Sequence, residues 1–250
     1  MKRLLRVGLT AAAWLTLLGA CCFDCPVPCT SDPTAPGCAP PPAVSGAGQL
    51  NIVPIAQQTE VWCWAATAEM VFRYYGLPNL NGAGNYQCGI VAAYFQGQCL
   101  FNCGLCVVPI GGMTELQKLV LGYGAVARQV GVPSRDLQSS LVFRALQATE
   151  VKTEIDAGRP VIAGISAGGF PFPNFSQHVV LVTGYDATAT PFQLIVNDPF
   201  PYDLPAYVLH GNPYLQVGAV RVAPGRYRIS YSSFVGPMAW GNSIYQISLR

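Results

Sequence analysis

Charge is what this sequence has least of. Only 10 % of its 250 residues are Asp, Glu, Lys or Arg, and the formal net charge is +2. Three of the basic residues, Lys2, Arg3 and Arg6, fall within the first six positions; without them 11 basic residues face 12 acidic ones, a balance near −1. A groove for phosphates needs a basic face, so nucleic acid is excluded as a partner, and so is electrostatic adhesion to an anionic membrane. Histidine is equally scarce. His178 and His210 are the whole supply, so histidine-dependent chemistry has two positions to choose from. Internal repeats are absent, and so is a Gly-rich phosphate loop ahead of a helix. No cofactor is implied.

Half of the residues are apolar, 51 % by composition, which is enough for one good core. The N-terminus reads as an export signal over residues 1–20. Lys2, Arg3 and Arg6 form a positive start, and the apolar stretch 7–18 is shorter than the roughly 20 residues of a membrane span. It ends in Leu18-Gly19-Ala20-Cys21, which resembles a bacterial lipobox. That resemblance implies cleavage before Cys21, a lipid on it and anchoring to the cell envelope. Ordinary signal cleavage, with Cys21 an incidental thiol, is the alternative. Residue 22 is Cys and not Asp, so a Gram-negative host would send the lipoprotein to its outer membrane. Residues 21–49 are rich in Pro, Gly, Ser and Cys, and Pro40-Pro41-Pro42 is expected to favour an extended conformation. They read as a tether, with the folded domain at 50–250.

Cysteine, by contrast, is plentiful, with 10 residues. Setting aside Cys21 and Cys63 leaves Cys22, Cys25, Cys29 and Cys38 in the tether and Cys88, Cys99, Cys103 and Cys106 in the domain. An exported chain with an even number favours disulfides, expected as two local sets of open connectivity. The Cys103-Gly-Leu-Cys106 spacing also suits zinc, but free thiolates do not suit an oxidising compartment, and no metal is expected.

Within the domain, residues 63–75 form a helical run in which Ala66, Met70 and Tyr74 share the face of Cys63. Glu69 and Arg73 pair at i,i+4 on the other side, and Gly76-Leu77-Pro78 stops the helix. Further helices are expected at 86–96, at 114–121 with Thr114 as cap, and at 149–157. Strands are expected at 140–146, 160–165, 178–185, 192–197, 226–231 and 243–249. Helices first and strands after argue an α+β fold with an antiparallel sheet.

Cys63 opens its helix between Trp62 and Trp64, with Gln57 six positions upstream. A thiol in the first turn feels the positive end of the helix dipole, which favours the thiolate. A cysteine nucleophile needs a base and the base needs an orienting group. His178 opens a strand after the loop 167–177, a candidate cleft wall, whereas His210 lies in a Pro/Gly-flanked loop. Asn197 and Asp198 end the next strand, and either suits the imidazole. Gln57 is placed to stabilise an oxyanion together with the Cys63 N–H. Taken singly, a cysteine between tryptophans is core material, a histidine at a strand start is structural, and Asp-Pro is turn chemistry. The order of the four together has little reason to arise from packing.

At these residues the chain resembles the papain-like cysteine proteases. It is most similar to the compact bacterial branch that includes secreted effector proteases, staphopains and bacteriocin-processing peptidases. Gln57 with Cys63-Trp64, then Ala65-Ala66, Met70 and Tyr74-Tyr75-Gly76, carry the likeness. Gln87-Cys88, Gly158-Arg159-Pro160, His178-Val179-Val180 to Gly184-Tyr185-Asp186, and Asn197-Asp198-Pro199 continue it to about residue 200. It implies a helical part carrying Cys63, packed on a sheet carrying His178 and the third member, and a thiol peptidase acting on peptides or proteins. The Asn-Ser-Trp motif of the plant enzymes is missing, so Asp198 is preferred as third member, with Asn197 the alternative; Gln58 is likewise the alternative to Gln57. Glu60 is expected to face solvent. A non-proteolytic amide hydrolase or acyl transferase, a catalytically silent binding lipoprotein, and delivery into another cell are the competing readings.

Overall fold

The computed structural model describes residues 46–167, 178–204 and 211–250. The export segment, Cys21, the tether cysteines, His210 and loop residues 168–177 lie outside the described residues. In chain order the elements are β1 (Ala47–Gln49), α1 (Cys63–Tyr74), α2 (Tyr86–Phe95), two 3₁₀ turns (Gly97–Leu100 and Cys103–Cys106), α3 (Met113–Gln129) and β2 (Leu137–Val142). There follow α4 (Ala148–Asp156), β3 (Val161–Ile165), β4 (His178–Asp186), β5 (Gln193–Asn197), α5 (Pro213–Gln216), β6 (Val220–Ala223), β7 (Arg226–Ser230), α6 (Tyr231–Val235) and β8 (Asn242–Leu249). The strands form one sheet in the order β2-β8-β3-β4-β5-β7-β6, with β1 added to β4. Every pairing is antiparallel. This is an α+β architecture, compatible with a papain-like fold.

The sheet divides two cores. Val179 and Leu181 of β4 point into the core built with α1, α2 and α3, whereas Val180 and Val182 point into the one built with α4, α6 and the C-terminal aromatics. Covering on both faces explains why β4 is apolar along its length instead of alternating. α1 lies across the start of β4, where the Thr67 hydroxyl donates to Val179 O at 3.1 Å. That bond sets the first turn of α1 beside His178.

Three departures from expectation have local causes. The sheet begins before residue 50, because Ala47, Gly48 and Gln49 pair with Asp186, Tyr185 and Gly184; the stretch assigned to the tether supplies a strand. α3 starts at Met113, with Gly112 and not Thr114 at its N-cap, and runs eight residues past the expected 121 to Gln129. A Cβ at Gly124 would lie 2.2 Å from Arg135 O, so that glycine admits the returning chain and does not end the helix. The strand expected at 140–146 is β2, three to four residues earlier.

Behind the sheet, Glu154 of α4 is almost fully buried. Arg159 grips it through Nε at 2.7 Å and Nη2 at 2.9 Å, and Gln246 N donates to it at 2.9 Å. Arg159→Ala would leave a buried carboxylate with one donor. It is expected to cost about 3 kcal/mol, a fall in Tm of roughly 6–12 °C for a domain of this size. An unchanged thermal melt would contradict it.

Candidate active site

The first residue of α1 is Cys63, partly buried and the only free cysteine among the described residues. Trp62 stands at the N-cap and its side chain does not cap the helix, and the first turn holds no acidic residue. The first helical bond, Ala66 N to Trp62 O at 3.0 Å, comes after the N–H of Cys63. The amides of the opening turn therefore face the region of the thiol, where their partial positive charge favours an anion.

Trp62 and Trp64 are both buried and flank the thiol. Their indole N–H groups donate to Cys106 O at 3.2 Å and Val108 O at 3.4 Å. The first of those carbonyls ends, and the second lies two residues beyond, a loop closed by the disulfides Cys88–Cys103 and Cys99–Cys106. Within the domain Cys88 is thus paired with Cys103 and Cys99 with Cys106. Among the described residues no group of three or more His, Cys, Asp or Glu is arranged to hold a metal ion. The disulfides are compatible with an exported protein, and no described helix is long and apolar enough to cross a membrane.

His178 is 3 % exposed, and its Nε2 lies 2.7 Å from Asp198 Oδ1. Burial pulls the imidazole pKa down. The Asp198 charge and hydrogen bond, with a hydrogen bond to Cys63 and its charge, outweigh burial and lift it to about 10. With Nε2 held by Asp198, Nδ1 is the ring nitrogen left for the thiol.

Asp198 is fully packed, and its environment orients it. Phe200 N donates to Oδ1 at 2.7 Å and the Tyr202 hydroxyl to Oδ2 at 3.4 Å. Tyr202 is held neutral, its pKa raised well above the usual phenol value by burial and then by the Asp198 charge, so it acts as a donor. Asn197 is turned away. Its Nδ2 donates to Ile52 O at 2.9 Å and its Oδ1 accepts from Arg226 Nε at 2.8 Å. Strand alternation explains the difference. Asn197 pairs across from Leu181 and so faces the core of α1, whereas Asp198 shares a face with Val196 and Val180.

Gln57 is buried and hung between two elements. Its backbone N donates to Pro199 O at 2.8 Å, beside Asp198. Its side-chain Nε2 donates to Thr59 O at 2.8 Å, which leaves one amide hydrogen without an acceptor among the described residues and fixes the amide against a flip. The buried Oε1 has no partner among the described residues. An orphaned polar atom costs free energy and is kept where a site needs a particular side-chain orientation. Gln58 is exposed and accepts from Asn85 Nδ2 at 2.8 Å; Glu60 is also exposed. Cys63, His178, Asp198 and Gln57 thus gather around one end of α1, and Asn197 and Gln58 face elsewhere. Two anchoring side chains were not reached from the sequence, Tyr202 on Asp198 and Gln87, which bonds Gln58 N and Ala56 O on either side of Gln57. An unbroken polar side chain in an apolar helix was the signal for Gln87, and the aromatic set Phe200/Tyr202 after Asp-Pro was the signal for Tyr202.

Residues 120–209 match the model of the Peptidase_C39-like family, which supports a papain-like cysteine-peptidase type of family and a peptide or protein as substrate. The matched segment contains His178 and Asp198 and stops short of Cys63. No curated protein matches the chain.

Proposed function

We propose that the protein is a papain-like thiol peptidase, exported, carried on the Cys/Pro-rich tether and held at the bacterial envelope by a lipid on Cys21. The observation that carries the reading is the buried His178 imidazole, 2.7 Å from Asp198, with its pKa raised by Asp198 and by Cys63 at the open start of a helix. An imidazole whose pKa lies near 10 is a suitable counter-ion for a thiolate at neutral pH.

In this mechanism His178 takes the Cys63 proton and the sulfur attacks the scissile carbonyl carbon. The carbonyl electron pair moves to oxygen, and the second Nε2 hydrogen of Gln57 and the Cys63 N–H stabilise that oxyanion. As the C–N bond breaks, His178 gives its proton to the leaving amine. Water, deprotonated by His178, then attacks the thioester and releases the acid and the thiol. Asp198 keeps Nδ1 directed at the sulfur throughout.

The test is reagent selectivity in the purified full chain. Iodoacetamide is expected to modify Cys63 at pH 6 at least about tenfold faster than it modifies free cysteine, with the site mapped by mass spectrometry, and a peptide library is expected to be cleaved. Turnover of cell-wall fragments with peptides left intact would move the activity to amidase chemistry. A Cys63 inert until unfolding would make the chain a binding module.

A further inference from the structure

The oxyanion segment is gripped by a side chain that takes no part in the chemistry just described. Gln87, in the first turn of α2, is 1 % exposed. Its Oε1 accepts from Gln58 N at 3.0 Å and its Nε2 donates to Ala56 O at 2.9 Å. One carboxamide therefore pairs with the backbone on both sides of Gln57, as a neighbouring strand would. Its second amide hydrogen goes to Glu69 Oε2 at 3.2 Å. Glu69 is itself buried and held through Oε1 by Arg73 at 2.7 Å.

The chemistry of these partners sets the amide's orientation. A carboxylate and a carbonyl both demand donors, so Nε2 must face Glu69 and Ala56 and Oε1 must face the Gln58 N–H. Turned over, the amide would set oxygen against two acceptors. Glu69 lies six residues after Cys63 on the same helix. One rigid element thus carries the sulfur and, through Glu69 and Gln87, fixes the backbone from which Gln57 projects. Pro199 O holds the other side of that backbone at Gln57 N.

We infer that Gln87 is a positioning residue for the oxyanion donor Gln57, with Glu69 fixing the orientation of its amide. The inference rests on the reading of Cys63 as nucleophile and Gln57 as oxyanion donor. Its consequence is selective. Acyl transfer to Cys63 needs an oxyanion donor; alkylation by iodoacetamide forms no oxyanion and depends on the thiolate alone.

The two rates separate the possibilities without a known substrate. In the full chain, acylation of Cys63 by p-nitrophenyl acetate is followed as the burst of nitrophenolate, and alkylation by iodoacetamide is followed alongside. Gln57→Ala is expected to slow acylation by about 10²-fold. Gln87→Met is expected to slow it by about the same factor, with alkylation within twofold of wild type and faster hydrogen exchange at the Gln58 amide. The double variant Gln57→Ala/Gln87→Met is expected to be no slower than Gln57→Ala, because both act through one donor. If Gln87→Met does not fold, Glu69→Gln leaves Gln87 whole but weakens what orients it, and a loss of about tenfold in acylation alone is expected. An unchanged acylation-to-alkylation ratio, or additive losses in the double variant, overturns the inference while leaving Cys63 as nucleophile. A wild-type Cys63 inert to both reagents overturns it together with the reading on which it rests.

Discussion

His178→Ala is expected to lower peptide hydrolysis by about 10⁴-fold or more, and to slow alkylation of Cys63 at pH 6 to the rate of an ordinary thiol. Two effects combine. In the proposed mechanism the variant lacks both the base that accepts the sulfur's proton and the cation that accompanies the thiolate. The variant also carries a structural cost, because Asp198 is buried and would lose its charged partner. Breaking a buried ion pair from one side costs about 3–5 kcal/mol. His178→Ala/Asp198→Ala separates the two effects. Removing both partners is expected to restore most of the melting temperature and none of the activity. If His178→Ala retains full alkylation at pH 6, the histidine is a packing residue and the proposed pair does not exist.

The same pair predicts a pH dependence of stability, with a definite sign. The folded-state pKa of His178, about 10, lies above its ordinary value of 6.5. The folded state therefore binds this proton more tightly than the unfolded chain does. Its contribution is fully present below about pH 6.5 and is lost progressively as pH rises through about 10. Wild-type Tm is expected to fall across that window, and His178→Ala/Asp198→Ala is expected to fall less. Parallel curves for the two proteins would contradict the assignment.

Much of this candidate site was legible because its ingredients are rare. With two histidines in the chain, and one of them at a strand start, His178 was accessible to inspection; Cys63 stood out by its place ahead of a helix with Gln57 upstream. The choice between Asn197 and Asp198 needed the register. Only the pairing of Asn197 with Leu181 shows which face of β5 looks toward the histidine, and pairing is a long-range property. β3, β4 and β5 announced themselves as apolar runs, whereas three of the four residues of β6 are exposed and leave no pattern of burial to find. β1 is three residues long and takes its order from β4, not from its own sequence. Gln87 shows no role of its own in the sequence, because the backbone it holds lies 29 and 31 positions away.

Opening the two disulfides is expected to disable the protein even while the Cys63 thiol stays intact. Both tryptophans beside that thiol lean on carbonyls at the end of the bridged loop and just past it, Trp62 on Cys106 O and Trp64 on Val108 O. Cys88–Cys103 ties the loop to α2 immediately after Gln87, and Cys99–Cys106 closes it on itself. Within the loop, Phe101 is 92 % exposed and Leu105 60 %, so buried apolar contacts alone give it weak support. Removing a native bridge from a small exported domain costs about 2–5 kcal/mol. The larger functional loss is expected from Cys99→Ser/Cys106→Ser, because Cys106 carries the carbonyl under Trp62. The resulting dependence on reductant is non-monotonic. Mild reductant keeps Cys63 as a thiol and raises activity; stronger reductant opens the bridges, frees the tryptophans and lowers it again. The check is activity and tryptophan emission against dithiothreitol concentration, with the state of each bridge read by mass spectrometry. Loss of activity is expected to track the opening of Cys99–Cys106 and a red shift in emission. Full turnover with both bridges open would show that the packing of Trp62 and Trp64 is maintained without them, and that Cys63 owes nothing to the loop.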